Sequence, residues 1–357
     1  MKEQNSAGKQ TAATIKYVLK TAVQFAASLF VLSVLVFVIS RLAPGEPLRA
    51  FYGDAVERMS AEQLAAARTR LGLDENILTQ YINWLSSAFH GDFGISFKYK
   101  QSVTDVVGGV YMNTLILTLI SFVIIFAAGL LLAVFCVLRE GSFADRLICR
   151  IGVALGSMPE FFVALVLILV FAVNLRILPS SGAYSIGQSG NIADRAVHLV
   201  LPAAAIVLSH IWYCAYLMRN KLSDEMRKEY VLLCKVKGLS RRGIIYKHCL
   251  KNVMPAIVSI MAIFLPHLLG GTYVVETVFS YPGLGSLGFE SAQYHDYNML
   301  MVISLITGVF VVAANMAVRV INEKLDPRTE YGETIAESAG GAAENMQAET
   351  AGGERRE

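Results

Sequence analysis

Two histidines, His210 and His267, stand inside long apolar runs, and Cys214 lies one helical turn beyond His210. An ionisable side chain at membrane depth is costly to bury, so each is a functional candidate by default. Imidazoles with a thiol one turn away could form a soft-metal path. A metal route needs several converging ligands, however, and a backbone hydrogen bond or a wet cavity accounts for each imidazole more simply. Glu276, at the end of another apolar run, is the third candidate. The remaining chemistry is sparse. No G-x-x-x-x-G-K-[ST] phosphate loop occurs, since Gly8-Lys9 lacks the earlier glycine, and neither H-E-x-x-H nor G-x-S-x-G is present. The five cysteines (Cys136, Cys149, Cys214, Cys234, Cys249) offer no zinc-site spacing and are expected to be packing residues. The chain therefore reads as non-catalytic, with no resident metal or cofactor.

The densest signal is residues 219–252, RNKLSDEMRKEYVLLCKVKGLSRRGIIYKHCLKN, which carry ten Lys and Arg. Tyr230, Val231, Leu233 and Cys234 give a first helix an apolar side. Gly238 suits the left-handed residue that ends a helix. Ile244, Ile245 and Leu250 line a second helix that runs on through Pro255. A basic amphipathic pair at a membrane surface fits lipid headgroups as well as it fits a cytoplasmic partner.

The elements that must position these residues are membrane spans. AVILMFWYC residues make up 55% of the 357-residue chain and DEKR only 17%, with a mean hydropathy of +0.51. No water-soluble surface has that composition, and a net charge of +3 gives no case for nucleic acid. Six stretches are long enough to cross a bilayer: about 21–40, 113–138, 147–174 (with Pro159 inside), 199–218, 253–275 and 299–318. With the N-terminus inside, the short loops hold sixteen Lys and Arg on the inner side against Arg176 and Arg195 outside, which places both termini in the cytoplasm. No cysteine falls in an outer loop, so no external disulfide framework is expected. The first span is too long for a cleaved leader and is expected to remain.

The outer loop 41–112 is expected to fold. Ser60 and Gln63 fit a capping box, Gly72 ends that helix, and Asp74 is expected to cap the next. There Ile77, Tyr81, Trp84, Leu85 and Phe89 share one face, which calls for an apolar partner at the bilayer interface or on the spans. Gly152 with Gly156, and Gly270-Gly271, suit close helix packing. After about Thr329 the chain is small, polar and expected to be disordered.

Glu229-Tyr230-Val231, Cys234-Lys235-Val236-Lys237-Gly238-Leu239-Ser240 and Lys247-His248-Cys249-Leu250-Lys251-Asn252 with Pro255 resemble the EAA loop of bacterial ABC importer permeases. Cys234 and Val236 stand where that family usually has alanines. Leu71-Gly72-Leu73-Asp74, Gly91-Asp92-Phe93-Gly94-Ile95-Ser96, Ser157-Met158-Pro159, Leu178-Pro179-Ser180-Ser181-Gly182 and Leu201-Pro202 look like signatures of the dipeptide/oligopeptide/nickel branch. So do Val275-Glu276-Thr277-Val278-Phe279, Pro282-Gly283-Leu284-Gly285 and Leu325-Asp326-Pro327-Arg328. The resemblance covers about residues 15–328.

It implies an all-α, six-span permease of the type I importer fold in the bacterial cytoplasmic membrane. The division would be a cytoplasmic N-terminus (1–16), a first span (17–40), a folded outer loop (41–112), a core (113–328) with its coupling loop (219–252), and a tail (329–357). It also implies the partners: a homologous second permease, two cytoplasmic ATPase subunits that bind the ATP and Mg, an external substrate-binding protein, and surrounding lipid. Glu229, Tyr230, Val231, Cys234, Lys237, Gly238, Leu239 and Pro255 would couple to the ATPases. Glu276, within the V-E-T-V-F run, would face the pathway or the second permease. Peptide is the expected cargo, with nickel or a metal chelate as the alternative. An ion-coupled secondary carrier is the rival from another class.

Overall fold

The computed structural model describes residues 2–42 and 47–325. The predicted disordered tail, and the Leu325–Arg328 motif beyond its first residue, lie outside the described residues. Helix α1 (Lys2–Leu42) is apolar from Thr21 onward. The next helices are α2 (Pro47–Tyr52), α3 (Ala61–Arg70) and α4 (Ile77–Phe89), followed by the long α5 (Val103–Leu138). Then come α6 (Phe143–Gly156), α7 (Glu160–Leu167, prolonged by a π-helical stretch Ile168–Asn174) and α8 (Ile192–Glu225). Helices α9 (Glu229–Val236) and α10 (Arg241–Ile244) form the predicted helix pair. A π-helical turn, Ile245–Cys249, joins α10 to α11 (Leu250–Val278), and α12 (Leu284–Gln293) and α13 (Tyr297–Leu325) follow.

Five of the six expected spans are single helices long and apolar enough to cross a membrane. The third is not. The run expected at 147–174 is split into α6 and the α7 stretch, bent by 99° at Ser157-Met158-Pro159. Proline has no N–H to give the preceding turn, and its ring disfavours helical backbone at the residue before it. Pro159 accordingly sits as the extended N-cap of α7, at φ −60°, ψ 137°. Pro202, Pro255 and Pro266 are instead carried inside α8 and α11, as membrane helices allow where neighbours re-satisfy the backbone. The second span also begins earlier than expected, at Val103 rather than Asn113, so the folded loop ends at residue 102.

Helices α5 and α8 share the most extensive interface, and α11 packs against both. Small residues let them approach: Ala133 of α5 and Ala205 of α8 are buried, and a Cβ at Gly129 would stand 3.4 Å from the Cys214 sulfur. All five cysteines are unpaired thiols. Gly152 meets Trp212 of α8 as a packing glycine should, whereas nothing approaches Gly156 or Gly270.

Helix α1 lies at the margin, against α13 and α4. The middle of the α4 stripe finds the spans as its partner. Tyr81 packs with Phe37 and Met301, Trp84 and Leu85 flank them, and the Tyr81 hydroxyl lies 2.8 Å from Ser33 Oγ. Ile77 and Phe89, at the ends of the stripe, stay exposed. The Ser60–Gln63 capping box forms, and Gly72 takes φ +65°. Asp74, however, does not cap α4. Asn76 does, accepting from Thr79 N at 2.8 Å, because a cap must directly precede the first turn. Asp74 instead accepts from the Thr69 hydroxyl at 2.9 Å. Residues 93–102 are fastened to the α12–α13 junction. Ser96 and the Lys98 amide donate to buried Asp296, and the Lys98 ammonium and Tyr99 hydroxyl donate to Glu290.

Candidate functional site

The coupling candidates fold as a braced hairpin of short helices. Gly238 has φ +76°; Gly238 N donates to Lys235 O at 3.0 Å and Leu239 N to Cys234 O at 3.1 Å. That pair of bonds is the Schellman ending, which needs a left-handed residue at this point. Ser240 then caps α10, accepting from Gly243 N at 3.2 Å.

Beneath the hairpin Val231 is 1% exposed, with Ile244 and Ile245 beside it in the core. Acids not singled out in the sequence do the fastening. Buried Glu225, at the end of α8, accepts from the Tyr230 hydroxyl at 2.8 Å and from Asn252 Nδ2 at 3.2 Å, and pairs with Lys228 at 2.6 Å. Burial, then hydrogen bonds with Cys249 and Glu225, push the Tyr230 hydroxyl well above its ordinary range, so it remains a donor. Arg241 donates to Val137 O at 2.7 Å and to Glu140 at 2.9 Å. Burial raises the Glu140 carboxyl, but Ser223 and Arg241 outweigh it and hold it below its ordinary value. Arg219 grips Asp145 through both carboxylate oxygens, at 3.2 and 2.9 Å. Acids at 140, 145 and 225 close to so many bases were the available signal.

The brace leaves an apolar row outside, flanked by exposed Lys235, Lys237, Arg242 and Lys247. Leu232, Leu233, Val236 and Leu239 are 65%, 55%, 77% and 41% exposed. Leu233 was expected on the inward side with Tyr230 and Val231, but it faces out. Glu229 is exposed in the first turn of α9 and Lys237 closes its last; Pro255 lies within α11, beyond the hairpin.

Glu276 is held inside this chain's own packing. It is fully buried, accepting from Thr114 Oγ1 at 2.6 Å and Ser286 N at 2.8 Å. A Cβ at Gly283 would stand 2.3 Å from its carboxyl group. The V-E-T-V-F and P-G-L-G runs are thus one device: a carboxylate that ties the 281–286 turn to α5, with glycine leaving room for it.

His210 and His267 do come together. Their ring centres are 6.0 Å apart, on a cavity of about 380 Å³ that also holds Glu160, Tyr213 and Phe264. His210 Nδ1 bonds Ile206 O at 2.9 Å. Cys214 is not with them; it is buried against Gly129. Glu160 was missed, although an acid directly after Pro159 in an apolar run is the same signal that picked out the histidines. A second cavity, of about 320 Å³, shares Gly156 and Tyr213 with the first and reaches Arg219.

A family model described as binding-protein-dependent transport system inner membrane component matches residues 125–331, and its N-terminal companion matches residues 14–118. The chain belongs to that family. The permease is 29% identical over 316 residues to the oligopeptide transport system permease protein AppB of Bacillus subtilis (strain 168), covering 88% of this chain and 99% of the relative. It is 32% identical over 321 residues to the glutathione transport system permease protein GsiC of Escherichia coli (strain K12), covering 89% and 99%. Among solved structures, a chain of the MetNI methionine ABC transporter superposes with a TM-score of 0.51 at 20% identity, covering 62% of this permease and 96% of that chain. The fold is that of a type I ABC importer permease, and the protein is a multi-pass membrane component of a transport system.

Proposed function

We propose that this permease is the membrane-spanning subunit of an ATP-driven importer for di- and oligopeptides delivered by an external binding protein. It works beside a homologous second permease, and two cytoplasmic ATPase subunits bind the ATP and Mg. The observation that carries the coupling role is the exposed row Leu232, Leu233, Val236 and Leu239 on a hairpin braced from beneath. Lipid headgroups would be met by basic side chains; four bare apolar side chains call for a protein groove. Arg241 is already committed to Val137 and Glu140, which removes one of the cations a lipid contact would use.

The imidazole cavity supports a second permease. Ionisable groups at membrane depth face a bundle interior or water, not lipid, yet His267 is exposed on this chain's own surface. A homologous subunit across that face would enclose it. Peptide cargo is supported by the near full-length likeness to the oligopeptide and glutathione permeases; those relatives lend no support to nickel. With residues 219–252 inside, both termini lie in the cytoplasm.

Single cysteines at positions 240 and 86 of a Cys-free variant test the orientation in intact cells. Position 86 should react with an impermeant thiol reagent and position 240 should not; the reverse would overturn the topology. A deletion strain supplied with a tripeptide as sole source of a required amino acid tests the cargo. Loss of growth with unchanged nickel-enzyme activity is expected, and the opposite pattern would contradict the peptide role.

A further inference from the structure

Glu160 heads α7 immediately past the 99° break and is partly buried on the imidazole cavity. Its Oε1 is buried with no hydrogen-bond partner, and no Lys or Arg among the described residues pairs with it. It makes no cap bond to its own helix. The N-terminus of α7 compensates part of a negative charge there, but a carboxylate in a low-dielectric site remains unfavourable until it meets a cation. Its Oε2 lies against Gly271 of α11, where an added Cβ would stand at an ordinary contact distance of 3.6 Å. The titratable neighbours on the cavity are His210 from α8 and His267 from α11. Tyr213 and Phe264 lie there with their rings tilted by 36° and centres 6.0 Å apart, and aromatic faces attract cations.

We propose that this cavity is a subsite for an alkylammonium group of the cargo in transit, with Glu160 as its countercharge and Tyr213 and Phe264 as its aromatic wall. The proposal rests on the peptide-importer role. An alkylammonium can come from a lysyl side chain or from a peptide N-terminus, and the test separates the two.

The complete importer is reconstituted in proteoliposomes, and three tripeptides are offered at equal loading of the binding protein: one with norleucine and a free amino terminus, one with lysine in place of norleucine, and one with norleucine and an acetylated terminus. Initial uptake rates are compared for wild type and Glu160→Gln, an isosteric change, with assembly of each complex checked by size exclusion. A terminal ammonium in the subsite makes the variant lose about tenfold on both free-amine peptides and little on the acetylated one, the size of one charge-assisted hydrogen bond. A side-chain ammonium confines that loss to the lysyl peptide. Equal loss on all three, as a cation from the second permease would cause, overturns the subsite, and so does no loss on any. If the wild-type importer moves none of the three, the peptide role itself fails, and the subsite with it.

Discussion

Replacing Gly238 by valine tests the hairpin at its most constrained point. The backbone there is left-handed, at φ +76°, and a Cβ would meet nothing within 4 Å. The Cβ itself meets no clash, so the main cost is torsional. A left-handed non-glycine residue costs roughly 1–3 kcal/mol, with a β-branched one toward the upper end. The turn would escape by giving up the bonds from Gly238 N to Lys235 O and from Leu239 N to Cys234 O, which reorients α9 against α10. An equilibrium shift of that size displaces the docking conformer by about 10- to 100-fold. Uptake by the reconstituted importer should fall at least tenfold, and ATPase activity should stop responding to loaded binding protein. Insertion should be unchanged, because no span is touched. Asparagine tolerates the left-handed region, so Gly238→Asn should keep most transport. Full activity in Gly238→Val, or equal damage from asparagine and valine, would refute a docking role for this turn.

Val236→Asp places a charge on the 77%-exposed side chain of the apolar row. It should weaken ATPase copurification by about tenfold or more, the worth of one buried apolar side chain, while the variant still inserts normally. Neutralising Arg242 and Lys247 together should cost less than twofold in uptake, whereas Arg241→Gln should be severe because it releases Val137 O and Glu140; a lipid-surface role predicts the reverse order. On the opposite face, burial raises the Glu290 carboxyl, but hydrogen bonds from Lys98 and Tyr99 outweigh it and hold it below its ordinary value. A carboxyl lowered by folding stabilises at pH above its unfolded value and loses that contribution as pH falls through its folded value. Hydrogen-exchange protection around Lys98, corrected for intrinsic rates, should therefore persist at pH 7 and drop only once pH falls below the ordinary range of a glutamate carboxyl, and Glu290→Gln should remove the difference.

Much of the fold was legible because a membrane leaves few choices: apolar length announces five of the spans outright. The sixth shows the limit. Hydropathy sums over residues 147–174 and cannot see that the helix breaks at Pro159, while Pro202, Pro255 and Pro266 are accommodated within helices. Local capping was legible at Ser60 and missed at Asn76, where Asp74 offered a competing cap two residues too early. Within the hairpin, Gly238 and the inward Val231 followed from spacing alone. Leu233 did not, because an eight-residue helix offers apolar side chains on two faces, and only the position of the core decides which is covered. Glu276 shows why an ionisable residue at membrane depth is an ambiguous signal: its partners, Thr114 and the Ser286 amide, are 162 and 10 residues away in sequence. Glu160 and the two histidines share that signal, but only the fold brings them to one cavity.

The central claim is that this permease moves peptide only when cytoplasmic ATPases drive it. Initial uptake of a labelled tripeptide into proteoliposomes, with the ATPase subunits present, omitted, or blocked by orthovanadate, measures this directly. Uptake should require the ATPases, ATP and loaded binding protein, and orthovanadate should abolish it. Peptide accumulation driven by an ion gradient alone, unaffected by orthovanadate, would contradict the claim and identify a self-sufficient carrier.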